Sequence, residues 1–281
     1  MPAAPEAGLT RRPLASVGGL TVRLVRCSGA AVAWSAAEEA VGPAIVFVRG
    51  GSFVRREDGV ESLLDGTVAY FQRPGSEEQF AHPAGHADEC LAIDLPASVL
   101  GWVGLAAPEL PGGALYTSAA VDLGHRGLAM AAAAGCDAFE LYERVCGLVA
   151  SVLEPAVGEV SAVRPSTRAG RRRLVARARE ALLSDPSVGL VVLARAAGSS
   201  PHHLSRVFAG ETGQTLSAYR NRLRVGLALA RLEAGECDLS GLAAELGFAD
   251  HAHMTRVTRE LVGSPPSAVR RLLASSPLPP S

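Results

Sequence analysis

The chain has 281 residues, 48% of them hydrophobic and 20% charged, and its formal net charge is −1. This length is enough for two domains with separate cores. We expect no membrane-spanning helix, because no uninterrupted run of about 18 apolar residues occurs. The N-terminus lacks a signal-peptide pattern, and the five cysteines include no Cys-x-x-Cys pair, so the composition predicts a cytoplasmic protein with reduced thiols.

Charge is divided unevenly along the chain. Residues 1–163 hold 10 arginines and 19 acidic residues, whereas residues 164–281 hold 17 arginines and 9 acidic residues. The front part therefore carries −9 and the rear part +8, which predicts that only the rear part meets a polyanion. All 27 basic residues are arginines, whose planar guanidinium suits both phosphates and guanine edges.

Short segments of alternating polarity fill the region from residue 20 to residue 95. Turn pairs such as Gly50-Gly51, Asp58-Gly59 and Asp65-Gly66 separate them. The pattern predicts an antiparallel β-barrel or jelly roll, and the more polar segment 79–90 is predicted to form loop and edge structure. The predicted strands are 21–25, 31–35, 44–49, 52–55, 60–64, 67–71 and 91–95.

One cluster in this region has side chains that could bind a metal: His82, His86, Glu89 and Cys90. Its spacing is not the His-x-His of metal-binding cupins, and no later histidine stands where a partner strand would place one. We therefore predict no metal and no cofactor. No nucleophile-base arrangement, phosphate loop or carboxylate pair has supporting context, so no catalytic residue and no enzymatic activity are predicted.

Two helices are predicted between residues 122 and 154. The first is alanine-rich and ends at Gly135, and the second begins at Asp137, which forms an Asp-x-x-Glu capping signature with Glu140. The second helix has a broad apolar face. Either the barrel covers this face, or a second copy of the chain does, which would make residues 137–154 a homodimer interface.

The rear part contains the same helical unit twice. Proline and glycine predict a linker at 156–170, followed by a helical domain at 171–274. In that domain a helix, a glycine turn and a capped second helix form a helix-turn-helix at about 187–209 and again at about 238–262, with a connecting helix at 216–233. A shift of fifty positions lays His203-Leu-Ser-Arg-Val207 over His253-Met-Thr-Arg-Val257, a match in register that is hard to obtain by chance.

Over about residues 168–274, the chain resembles the AraC/XylS family of bacterial transcription regulators. The residues that carry the resemblance are Leu193-Ala194, Gly198-x-Ser200, Leu204-x-Arg206-x-Phe208, Glu211-Thr-Gly213, Tyr219, Arg222-Leu223, Leu242-Ala243, Gly247-Phe248, Arg256 and Gly263-Ser-Pro-Pro266. By strand pattern and position, residues 15–155 resemble the cupin-like sensing domain of many family members. The expected fold class is therefore a two-domain α+β protein with a cupin-like barrel and helical pair in front and an all-α double helix-turn-helix domain behind.

The resemblance implies that two helices enter successive major-groove segments of double-stranded promoter DNA. The implied DNA-binding residues are His202, His203, Ser205 and Arg206 in the first helix-turn-helix, and His251, Ala252, Thr255 and Arg256 in the second. Arg206 and Arg256 could contact guanine or phosphate, whereas Ser200 is expected to cap its helix. The implied protein is an activator or repressor that contacts RNA polymerase and responds to a small effector, to dimerisation, or to both.

Two alternatives remain open from the sequence. One is a cupin-type metalloenzyme that carries a DNA-binding module, and the other is a ligand-independent regulator controlled by protein partners. One residue departs from the family pattern: Thr258 stands where an aromatic residue is usual. A smaller side chain there predicts that the second helix-turn-helix is less tightly packed and less stable by about 1–3 kcal/mol. We also expect it to read bases more weakly than the first.

Overall fold

The computed structural model describes residues 8–29, 33–82, 85, 87–154 and 165–274. Contacts divide these residues into two compact units, 8–154 with 272–274 and 165–271, and each is described by itself. None of the helices in the described ranges is both long enough and apolar enough to cross a membrane.

The first unit contains two antiparallel sheets. A six-stranded sheet has the order β1-β2-β9-β4-β7-β10, and a four-stranded sheet has the order β3-β8-β5-β6. The strands are β1 (Leu9–Val17), β2 (Leu20–Cys27), β3 (Glu38–Glu39), β4 (Ala44–Gly50), β5 (Ser52–Glu57), β6 (Val60–Asp65), β7 (Val68–Gln72), β8 (Glu77–Ala81), β9 (Asp88–Asp94) and β10 (Ala114–Tyr116).

The six-stranded sheet is the middle of three layers. Along β4, Ile45 and Phe47 belong to a core shared with the helices, whereas Val46 and Val48 belong to a core shared with Phe53 of the four-stranded sheet. Because successive side chains of a strand point to opposite faces, β4 is apolar at nearly every position. The helices of this unit are α1 (Ala97–Trp102), a 3-10 turn (Ala107–Glu109), α2 (Ala119–Ala133) and α3 (Ala138–Leu153).

This arrangement confirms the predicted fold class, a sheet-rich front part with a helical pair, but individual strands differ. Segment 31–35 was predicted as a strand, yet residues 33–35 form none, and residues 31–32 lie outside the described ranges. Strand β1 was not predicted, because it is an edge strand with two arginines and with Pro13 at a break in register. Segment 79–90 is less irregular than predicted, since β8 ends and β9 begins inside it.

The second unit is all-helical. Its helices are α4 (Pro165–Ser184), α5 (Leu190–Ala196), α6 (Pro201–Thr212), α7 (Leu216–Glu233), α8 (Leu239–Glu245), α9 (His251–Val262) and residues 266–271 of α10 (Pro266–Ala274). Helix α7 covers the same residues as the predicted connecting helix. Helix α4 begins inside the segment predicted as linker, since proline is well suited to the first turn of a helix; residues 156–164 of that segment lie outside the described ranges.

Candidate nucleic-acid interface

Each helix-turn-helix is built around a glycine in the left-handed region. Gly198 has φ +72° between α5 and α6, and Gly247 has φ +74° between α8 and α9, a conformation that costs other residues free energy. Gly247 is also crowded: a Cβ there would lie 2.8 Å from Ser187 Cβ and 2.9 Å from Arg224 Nη2. Only glycine fits this second turn without displacing its neighbours.

The second helix of each helix-turn-helix is capped by the side chain of the residue just before it. Ser200 Oγ accepts a hydrogen bond from the His203 backbone N–H at 3.3 Å, and Asp250 Oδ1 accepts one from His253 N–H at 2.6 Å. These contacts support the expectation that Ser200 acts as a cap. Both caps fix where α6 and α9 start, and therefore which side chains lie in their first turns.

The inner faces of α6 and α9 are buried but differ in quality. Leu204, Val207 and Phe208 are buried in α6, and the ring of Phe208 meets Tyr219 of α7 edge-on at 5.2 Å. In α9 the corresponding position is Thr258, which is fully buried. Its Oγ1 has no hydrogen-bond partner among the described residues. The second helix-turn-helix therefore buries a smaller and partly polar side chain where the first buries a phenylalanine.

The opposite faces carry the side chains implied as DNA contacts. His202, His203, Arg206, His251, Ala252 and Arg256 are exposed, and Ser205 and Thr255 are half-buried. Arg206 Nη2 lies 3.3 Å from His203 Nδ1, which places both groups on the same side of α6. On α9, Thr255 Oγ1 lies 3.5 Å from His251 Nε2, one turn away on the same helix.

The two helices are not identical on this face. His253, which aligns with His203, is half-buried: its Nδ1 accepts a hydrogen bond from Ala249 N–H at 3.2 Å, and its ring packs edge-on against Phe248. Helix α9 also exposes Arg259, three residues after Arg256. The aligned position of α6 is Ala209. Sequence reasoning missed Arg259, although its helical spacing from Arg256 was a usable signal.

Arg224 connects the two helix-turn-helix units through α7. Its Nε and Nη2 donate to the carbonyl of Pro186, just before α5, at 3.0 and 2.7 Å. Its guanidinium lies 5.6 Å from the ring centre of Phe248, just before α9. Arg222 and Arg224 are each 5% exposed, so α7 buries both side chains although arginine is usually a surface residue. Burial and the nearby Arg220 charge lower the pKa of Arg224.

The candidate metal ligands of the first unit do not come together. His82 and Cys90 face the space between the sheets, whereas Glu89 lies on the opposite face of β9 and accepts a hydrogen bond from Arg49 Nε at 2.8 Å. Burial raises the pKa of Glu89, but the guanidinium groups of Arg49 and Arg26 outweigh this effect and hold the pKa below its usual range. Alternation along β9 separates Glu89 from Cys90, so these two candidates do not face one site, and His86 lies outside the described residues.

A cavity of about 160 Å³ lies between the two sheets. Its wall combines apolar side chains such as Val46 and Phe53 with polar ones. Arg55, 1% exposed, forms ion pairs with Glu78 and Glu57 beside this space and lies 4.4 Å from the ring centre of Tyr70. The polar side chains that line the cavity include Arg11, Arg23, Tyr70, Gln72, Glu78 and His82.

Comparison with known proteins places the rear part of the chain. A family profile described as "Helix-turn-helix domain" matches residues 193–272. Regulatory protein SoxS of Escherichia coli is 32% identical over 89 residues, which cover 32% of this chain and 83% of SoxS. An HTH-type transcriptional regulator of Mycobacterium tuberculosis is 34% identical over 82 residues, and the match spans 29% of this chain and only 32% of that relative.

Two solved structures also align with the chain. ToxT of Vibrio cholerae aligns over 92% of this chain and all of its own, at 10% identity and a TM-score of 0.36. An AraC-type DNA-binding-domain protein of Chromobacterium violaceum aligns over 38% of this chain and 97% of its own, at 21% identity and a TM-score of 0.36. These scores are low, so the assignment depends on the sequence matches.

Two capped helices, each preceded by a short helix and a glycine turn, define a helix-turn-helix DNA-binding protein. With most of SoxS matched at 32% identity, the chain belongs to the AraC/XylS family. It is a DNA-binding transcription regulator, as the sequence motifs predicted.

Proposed function

We propose that α6 and α9 read adjacent major-groove segments of double-stranded promoter DNA. The observation that carries this proposal is the pair of exposed arginines, Arg206 and Arg256, at the same position of two capped helices. Arg206 contacts a base edge, with His202, His203 and Ser205 beside it. On α9, Arg256 and Arg259 grip the backbone, with His251, Ala252 and Thr255 beside them.

The test begins with selection of bound fragments from genomic DNA and footprinting of the selected sites. The full chain and its Arg206→Ala and Arg256→Ala variants are then titrated on the best site and on a scrambled one. Arg231→Ala is the matched control, because Arg231 is exposed but forms ion pairs with Glu236 and Glu245. A footprint of one groove segment only, or equal losses in all three variants, would count against two-helix reading.

The first unit, corresponding to the expected domain at 15–155, is proposed to sense a small effector in the cavity between its sheets. The mixture of guanidinium, carboxylate and aromatic groups around this space supports a polar ligand. A thermal-shift screen with the full chain tests this idea, because a ligand that binds only the folded state raises the melting temperature. If added protein partners raise the melting temperature and no small molecule does, the ligand-independent alternative is favoured.

Homodimerisation through residues 137–154 has less surface available than the sequence suggested. Leu141, Val145, Leu148, Val149 and Val152 are buried within their own unit. A dimer contact at α3 would therefore centre on Phe139, whose exposed fraction is 79%. Sedimentation of the full chain and of Phe139→Ser tests this contact, and in vitro transcription from a selected promoter tests the proposed contact with RNA polymerase.

A further inference from the structure

Three side chains with metal-binding atoms converge between the sheets of the first unit. One ligand atom each from Cys27, His82 and Asp88 lies within 4.8 Å of the others. His82 Nε2 is 2.5 Å from Asp88 Oδ1, and both side chains are in buried residues. Only His82 belongs to the group that the sequence singled out.

The topology explains this convergence. Cys27 ends β2 and Asp88 begins β9, and the two residues are directly opposite in the antiparallel register, so their side chains share one face of the six-stranded sheet. His82 follows β8 of the four-stranded sheet, and its ring lies 5.8 Å from that of Phe53 on the same sheet. The cluster is therefore held from both sides of the sandwich.

The surroundings supply further features of a binding site. Cys27, His82, Asp88 and Cys90 all line the cavity, and Cys90 Sγ lies 3.7 Å from Asp88 Oδ2. None of the five cysteines, all of which lie in the described ranges, forms a disulfide. Three protein ligands beside an open space are the arrangement in which a metal keeps one coordination position for water or a small molecule.

We propose that Cys27, His82 and Asp88 bind a divalent transition metal ion between the two sheets, with Zn²⁺ as the representative ion. One thiolate, one imidazole and one carboxylate form a ligand set of borderline softness, which suits Zn²⁺, Co²⁺ or Fe²⁺ and disfavours Mg²⁺ and Ca²⁺. Binding replaces the His82–Asp88 hydrogen bond, and the Cys27 thiol releases its proton to solvent. The site belongs to the first unit and lines the cavity proposed for the effector, so it is independent of the proposed DNA reading by α6 and α9 but shares its space with the proposed effector.

The test uses Co²⁺ as a spectroscopic probe of the full chain after chelator treatment. We expect one equivalent of Co²⁺ to produce a thiolate-to-metal charge-transfer band, and Zn²⁺ to displace it. Cys27→Ser should abolish the band and weaken binding at least about tenfold, because even the loss of a group that only supports a ligand usually costs that much. Cys237→Ser is the matched control, since Cys237 is exposed on the second unit, and it should keep the band.

A second measurement guards against variants that fail to fold. Zn²⁺ should raise the melting temperature of the wild type and of Cys237→Ser, but not that of Cys27→Ser, with far-ultraviolet circular dichroism confirming that each is folded. His82→Asn should behave like Cys27→Ser, and His202→Asn like the wild type. Absence of the band and of the thermal shift in the wild type, or retention of both in Cys27→Ser, would overturn the proposal.

Discussion

Thr258 is the weak residue of the second helix-turn-helix unit. Its side chain is fully buried, and its hydroxyl is without a partner among the described residues, a situation that costs about 1–3 kcal/mol. Thr258→Val removes the hydroxyl and keeps the shape, so we expect unfolding free energy to rise by about 1 kcal/mol. Urea denaturation followed by circular dichroism measures the change. Thr255→Val on the half-buried face should be near neutral; a loss of stability in Thr258→Val would contradict this account.

Arg206 and Arg256 should differ in what they contribute to DNA binding. The ring of Phe208 packs against Tyr219 beneath α6, whereas the corresponding buried residue of α9, Thr258, is smaller and has an unpartnered hydroxyl among the described residues. We expect Arg206→Ala to lose about 1–3 kcal/mol of discrimination between specific and scrambled DNA. Arg256→Ala should weaken binding to the specific and to the scrambled DNA by similar factors. Footprinting titrations on both DNAs measure the ratio, and equal losses of discrimination in the two variants would remove the distinction.

His125 makes the first unit sensitive to acid. It lies on α2, is 2% exposed and stacks on Phe47; burial lowers its pKa from 6.5 to about 4, although Asp122 at 3.1 Å opposes this shift. The neighbouring charges of Arg126 and Arg49 lower it further. The folded chain therefore keeps this imidazole neutral at a pH where the unfolded chain protonates it.

The sign of the pH effect follows from this difference. Between pH 6.5 and about 4 the unfolded state binds the extra proton, so unfolding free energy falls as the pH falls, by roughly 3 kcal/mol over the window. Above pH 6.5 the contribution is constant. Fluorescence-monitored urea denaturation measures it, because Trp34 and Trp102 both lie in the first unit. His125→Gln should flatten the slope in this window, and an unchanged slope would exclude His125 as its source.

At the scale of elements, the two turn glycines allow a matched comparison. Both have φ near +73°, so alanine at either site incurs about 1–2 kcal/mol of backbone strain. A Cβ added at Gly198 would lie 3.9 Å from Arg177 Nη2, whereas one added at Gly247 would lie 2.8 and 2.9 Å from its nearest atoms. We expect Gly247→Ala to cost about 1–3 kcal/mol more than Gly198→Ala, as measured by chemical denaturation. Similar costs would show that Ser187 and Arg224 move aside freely.

The helices were more predictable from sequence than the strands. Apolar spacing, Ser200 and Asp250 as caps, and Gly198 and Gly247 as turns are local signals, and α5 to α9 follow them. Strand β1 and the start of β9 were missed because pairing partners, not their own polar sequences, make them strands. Long-range topology also brings Asp88 and Cys27 beside His82, across 61 residues of chain from Cys27 to Asp88, a proximity that no spacing rule reveals.

The exposure of the two candidate DNA-reading arginines was predictable for a similar reason. A helical period places Arg206 and Arg256 opposite the apolar stripes, and both are exposed. Charge alone would place Arg222 and Arg224 in solvent, yet both are buried, and Arg224 has a carbonyl and an aromatic ring as partners. A long arginine can pack its stem and satisfy its donors internally, so charge on α7 was a poor guide to its exposed face.

At the scale of the whole molecule, the opposite charges of the front and rear parts predict strongly salt-dependent DNA binding. Each phosphate neutralised contributes about −0.9 to the slope of log affinity against log salt concentration. We expect Arg259→Gln to make this slope shallower by about one unit, while Arg231→Gln leaves it unchanged because Glu236 and Glu245 already pair with it. Fluorescence anisotropy of labelled DNA across a salt series measures both, and an unchanged slope in Arg259→Gln would place that arginine away from the phosphates.

The bridging side chain of Arg224 sets rules for building hybrid regulators from this chain. A graft that imports foreign residues 186–212 alone, or a foreign α8–α9 segment alone, would take one partner of this guanidinium from a different parent than the other. Swapped cassettes should therefore be joined before Pro186 and after Val262, so that both ends of the bridge and both DNA-reading helices come from one parent. Operator preference in such hybrids is then exchanged as a single block rather than half by half.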